Sequence, residues 1–109
     1  MTARIVCIPV TDDGQVGHSW GKAPTVAIAT VDNGTIESWR TEAVGWDVSH
    51  DEGTPGSHHA RVARFVQDND ITTVLAAHMG EPMHNMLTKL GVDVQQDVAG
   101  DARVAVTAS

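Results

Sequence analysis

The sequence predicts an α/β domain with helices packed on a mixed sheet, in the order β-β-β-α-β-α-β-(α). Three observations carry this. Short apolar runs are bounded by turn residues, an Asn-Gly pair sits between two of them, and two later segments repeat apolar residues at i, i+3 and i+4. A chain of 109 residues suits a single domain, 1–109, with one modest core.

The elements follow in order. Arg4–Val10 is almost continuously apolar, the pattern of a strand buried on both faces, and Asp12-Asp13-Gly14 breaks it with turn chemistry. Thr25–Val31 is a second apolar run leading into Asn33-Gly34, the preferred pair for a two-residue type I′ turn. Ile36–Val44 then returns antiparallel, and its Glu37, Ser38, Arg40 and Glu42 suit an edge strand. Gly45–Gly56 is a long connection of the kind that is often functional. Ser57 is placed to cap a helix from His58 to about Asn69, with Val62, Phe65 and Val66 as its buried stripe. Thr72–Ala77 reads as a buried strand. Pro82 opens a second helix with Met83, Met86, Leu87 and Leu90 on one face, and Gly91 closes it. Val92–Val94 is a short strand, and Asp101–Ala108 a final helix.

Composition excludes several functions. Apolar residues are 41% and charged residues 19%, a folded composition. Seven Lys and Arg against 14 Asp and Glu give a net charge of −7, which opposes phosphate-backbone binding and a peripheral membrane role. No apolar run reaches the roughly 20 residues of a membrane span. The first ten residues lack the pattern of a signal peptide, so a cytoplasmic location is expected. Cys7 is the single cysteine, flanked by apolar residues, and reads as a buried, inert thiol. A metal site must therefore draw on imidazole, carboxylate or thioether.

Six histidines make that chemistry available. Following strand direction along the predicted order, His18, His50, His58, His59, His78 and His84 all fall at the carboxyl edge of the parallel strands. Ligands bind there in open α/β sheets. His58 and His59 flank the buried stripe of their helix, whereas His84 points to the side of its own. Placed in a first helical turn, His58 and His59 are biased toward the neutral imidazole that coordinates metal. The candidate ligands are His50, His58, His59 and His78. Asp47 is expected to orient an imidazole, and Met79 is either a soft ligand or a core filler.

These residues carry a family resemblance. Ile5-Val6-Cys7-Ile8-Pro9-Val10 followed by Gly17-His18-Ser19-Trp20-Gly21-Lys22-Ala23-Pro24 resembles an I-A-I-P-V strand preceding an H-F-G-R-A-P segment. Val26–Val31, Asp32-Asn33-Gly34, Ala77-His78-Met79-Gly80-Glu81-Pro82-Met83 and Leu87–Val92 continue it. The chain is similar in this to the dinitrogenase iron–molybdenum cofactor biosynthesis family, the NifX-like and NifB C-terminal-like domains.

The resemblance implies a ribonuclease H-like motif with a mixed five-stranded sheet. It also implies a noncatalytic carrier of an iron–sulfur or iron–molybdenum cluster, its precursor or a single transition metal ion, with a donor or acceptor protein as partner. By position, His50, His58 and His59 match the family's His- and Gly-rich loop, and His78-Met79-Gly80 its turn after the fourth strand. The histidine of H-F-G falls at Ser19, with His18 one place early, so any ligand role there is lost or shifted. Two other classes compete with the carrier. One is a module binding a small anion or metabolite at the helix N-termini near Ser57 and Pro82. The other is a two-metal nuclease, which lacks clustered carboxylates and is opposed by the net charge.

Overall fold

Five strands form one mixed sheet in a computed structural model that describes residues 3–49 and 52–109. The spatial order is β3-β2-β1-β4-β5, with β1 (Arg4–Pro9) at the centre, β2 (Thr25–Asp32), β3 (Thr35–Ala43), β4 (Thr73–Leu75) and β5 (Asp93–Gln95). β1 pairs antiparallel with β2 and parallel with β4; β2 and β3 are antiparallel, and β4 and β5 parallel. The α/β class and the mixed five-stranded sheet are as the apolar runs predict.

Local chemistry explains the pairing. Val6, Cys7 and Ile8 have no exposed surface because β1 is covered on both faces. Asn33 and Gly34 both adopt positive φ, 53° and 76°, as the type I′ turn requires. β3 is the outer strand, and its ladder carries the Arg40–Glu42 ion pair on the exposed side.

Helices cover the two faces unequally. On one face, α2 (Pro55–Asp68) and α3 (Glu81–Lys89) enclose a core of Trp20, Trp46, Val62, Val66, Met83 and Leu87 against β1, β2 and β4. On the other, Ala102 and Val106 of the short helix α4 (Ala102–Ala108) seal Val6, Ile8, Ala27, Ala29 and Leu75. Among the described residues, no helix is long and apolar enough to cross a membrane.

Several boundaries differ from the sequence expectation, and at four places the local reason is plain. The connection after β3 contains a short helix, α1 (Trp46–Ser49), whose Trp46 is buried against the core. Helix α2 begins three residues earlier than expected, and Thr54, not Ser57, is its N-cap. Thr54 Oγ1 accepts from Ser57 N at 3.1 Å and Ser57 Oγ from Thr54 N at 3.4 Å, a reciprocal capping box. The fourth strand is shorter than Thr72–Ala77, because after Ala76 bonds to Gln95 O the chain turns into His78. Val92 donates to Leu87 O and completes the C-terminal turn of α3 after Gly91 (φ 82°), so β5 starts at Asp93. Leu90, at the C-cap of α3, is consequently exposed instead of extending the buried face.

Candidate functional site

A cavity of about 340 Å³ opens at the carboxyl edge of β1 and β4. Its lining comes from three separate segments. The loop between β1 and β2 supplies His18, Ser19, Gly21 and Lys22; helix α2 supplies His58 and His59; the turn after β4 and the start of α3 supply His78, Gly80, Pro82 and Met83.

The loop is fixed at several points, which determines where His18 stands. Gly17 N donates to Pro9 O at 2.7 Å and Val16 N to Gly100 O at 2.8 Å. A Cβ at Gly17 would lie 3.1–3.2 Å from Pro9 Cβ and carbonyl carbon, so this approach depends on glycine. Beyond His18, Ser19 bridges His78 in parallel fashion, and Trp20 N donates to His78 O at 3.1 Å. The loop thus extends the pairing of β1 with β4 past the strand ends. It sets the His18 and His78 rings 6.4 Å apart between centroids, within 21° of parallel. The His78 turn is held in addition by Met79 N, which donates to Gln96 Oε1 at 3.1 Å.

His58 and His59 differ in surroundings although adjacent. The capping box makes them the fourth and fifth helical residues, beyond the first turn, where the dipole argument from sequence loses its force. His58 is 2% exposed and shares the buried face with Val62 and Val66. Its Nε2 lies 2.8 Å from Gly21 O, and its Nδ1 lies 3.0 Å from an Arg61 guanidinium nitrogen. His59 is half-buried and lines the cavity. Beneath them, Trp46 packs edge-to-face on Trp20 at 5.1 Å, Phe65 at 5.4 Å and His58 at 6.4 Å, an aromatic floor. Among the described residues, the buried indole N–H of Trp20 has no hydrogen-bond partner.

The sequence-derived site residues fall as follows. His58, His59 and His78 line one cavity. His50 lies outside the described residues. Asp47 is exposed on α1 and does not line the cavity, and His84 is half-buried on α3, away from it. Met79 is buried in the core cluster and does not line the cavity; Met83, four residues on, belongs to the same core cluster and also lines the cavity. His18, Ser19, Lys22 and Met83 also line the cavity, although the sequence reading placed none of them among the candidate ligands.

Among the described residues, no three His, Cys, Asp or Glu side chains converge closely enough to hold a single metal ion. No described lining residue is acidic, and Lys22 lies at the rim, in a chain of net charge −7. Cys7 is sealed in the core, where burial pushes its thiol up from the ordinary range. A second cavity, about 580 Å³ and largely apolar, adjoins the first and shares His18, Ser19 and Lys22 with it.

The model of the dinitrogenase iron-molybdenum cofactor family matches residues 2–108. The chain belongs to this family. Its fold recurs in solved structures of low sequence identity. A protein designated PH0822 matches with a TM-score of 0.76 and 19% identity over 95% of this chain and 86% of its own. The apo form of the orange protein from Desulfovibrio gigas has a TM-score of 0.65 and 20% identity, covering 96% and 85%. A Thermotoga protein described as a NifB candidate has a TM-score of 0.63 and 22% identity, covering 96% and 85%. At these identities the likeness establishes the iron-molybdenum cofactor family fold alone. No curated protein sequence matches significantly. Family membership associates the chain with iron–molybdenum cofactor biosynthesis or binding.

Proposed function

We propose that this protein is a noncatalytic carrier that receives an iron–sulfur or iron–molybdenum cluster, or its precursor, as cargo in the histidine-lined cavity. The observation that carries the reading is the meeting of His18, His59 and His78 from three segments around one hollow. In this reading the whole chain, 1–109, is the binding unit, its sheet is a ribonuclease H-like motif, and it works in the cytoplasm with a donor and an acceptor protein.

The donor set fits such a guest better than it fits one ion. A tetrahedral ion needs its nitrogens converging about 2.0–2.1 Å from a point, and among the described residues no three do. A polynuclear cluster presents several metals, so His18, His59 and His78 each reach a different one. His50 is a further ligand in the reading. Met79, in the core, shapes the floor, and the Met83 thioether faces the guest. The scarcity of carboxylates in the lining suits a sulfur-rich anion. Few fixed ligands also make transfer possible.

Anaerobic incubation with iron(II) and sulfide is expected to give charge-transfer absorption that weakens in H59A and H78A. A folded wild-type protein that develops no such absorption overturns the carrier reading.

One observation favours a second reading, a small anion bound at the N-terminus of α3. Gly80, its N-cap, has no side-chain cap and lines the cavity, whereas the start of α2 is already satisfied by its capping box. A thermal-shift panel separates the two, since inorganic phosphate or small carboxylates stabilise the anion site and iron with sulfide the carrier.

A further inference from the structure

We infer that His58 is a positioning residue: an imidazole brace that ties the loop bearing His18 to helix α2 and fixes the two walls of the cavity. What the cavity holds rests on the carrier reading above. The brace itself rests on hydrogen bonds within the protein.

Each partner of the ring allows one polarity. The Gly21 carbonyl can only accept, so Nε2, 2.8 Å away, carries the proton. The Arg61 guanidinium can only donate, so Nδ1, 3.0 Å away, is the bare nitrogen. Both contacts suit the same tautomer, and together they engage both ring nitrogens. A metal at either nitrogen would have to displace Gly21 or Arg61.

The partners also lie where a brace would need them. Gly21 is 37 positions from His58 and follows Trp20, whose N–H holds His78 O. The contacts therefore close a circuit from α2 through the loop to the His78 turn, running under the three exposed or half-exposed imidazoles. Arg61 also donates to Ser49 O at 3.3 Å, which brings α1 into the same network. Trp46 stands edge-on to the ring at 87° and limits its rotation. His58 thus does for the loop what a ligand would do for a metal.

Two substitutions dissect the brace. In H58Q the amide nitrogen occupies about the place of Nε2 and keeps the bond to Gly21. In H58N the amide oxygen occupies about the place of Nδ1 and keeps only the contact with Arg61. Amide exchange at Trp20 and Ala23 is measured without cargo, and iron(II) with sulfide then serves as the probe for uptake and for the position of the charge-transfer band. H58Q is expected to exchange and bind within about twofold of wild type. H58N is expected to exchange about tenfold faster and bind about tenfold more weakly, with the band unmoved because no ligand has changed.

Wild-type exchange in H58N overturns the brace. So does a shifted or lost band in H58Q with exchange unchanged, which would make His58 a ligand. Should H58N not fold, H58L supplies the second variant: an apolar side chain of similar size removes the bond to Gly21, and unaltered exchange at Trp20 counts equally against the inference. A wild-type protein that takes up no iron and sulfide refutes the carrier reading, and the exchange comparison still decides the brace.

Discussion

Cys7 provides a test of the core that also bears on the site. The thiol sits mid-strand in β1, paired with Ile28 on one side and Val74 on the other, with no exposed surface. Desolvation pushes its pKa up, outweighing the lowering influence of Arg40 and of a backbone hydrogen bond at Ile8. The sign follows directly. Below about pH 8.5 both folded and unfolded chains hold the proton, and the thiol's contribution is complete. Above that, the unfolded chain ionises while the folded one does not, so stability falls as pH rises.

The slope is one proton, about 1.4 kcal/mol per pH unit, or roughly 2 kcal/mol between pH 9 and 10.5. Urea titrations of wild type and C7A at pH 7.5, 9 and 10.5 isolate it, because every other alkaline group is common to both. The wild-type midpoint is expected to drop about 1–2 M further than that of C7A over this range. Parallel pH dependences would refute the argument and reopen Cys7 as a source of thiolate for a metal cluster.

Two further outcomes follow from local geometry. T54A removes the acceptor of the tighter capping bond and is expected to cost about 1 kcal/mol in chemical denaturation, a loss of about 4–8 °C in Tm, with T54S near wild type. G17A forces a methyl to 3.1–3.2 Å from Pro9, and the displaced loop is expected to shift the His18 ring resonances in NMR while those of His84 stay in place.

The sequence announced those features whose chemistry is local. Asn33-Gly34 specified its turn because both residues tolerate positive φ, and the outer position of β3 was readable from its charged residues. Thr54-Pro55-Gly56-Ser57 was misread because Pro and Gly resemble a loop, although a Thr and a Ser three apart make a reciprocal cap. The common edge of His18, His58, His59 and His78 was legible from strand direction. Their individual roles were not, since they depend on distant partners: Gly21 for His58, and the Ser19–His78 bridge for His18. Met83 was legible as a buried residue of its helix, whereas its share in the cavity wall depends on the distant loop that brings Gly21 beside it.

The loop between β1 and β2 is also joined to the opposite face of the sheet. Gly14 O accepts from Ala102 N, and Gly100 O from Val16 N, so the start of α4 and the approach to His18 share two backbone bonds. Displacing the carboxyl-terminal helix would therefore strain the backbone bonds that hold the approach to His18.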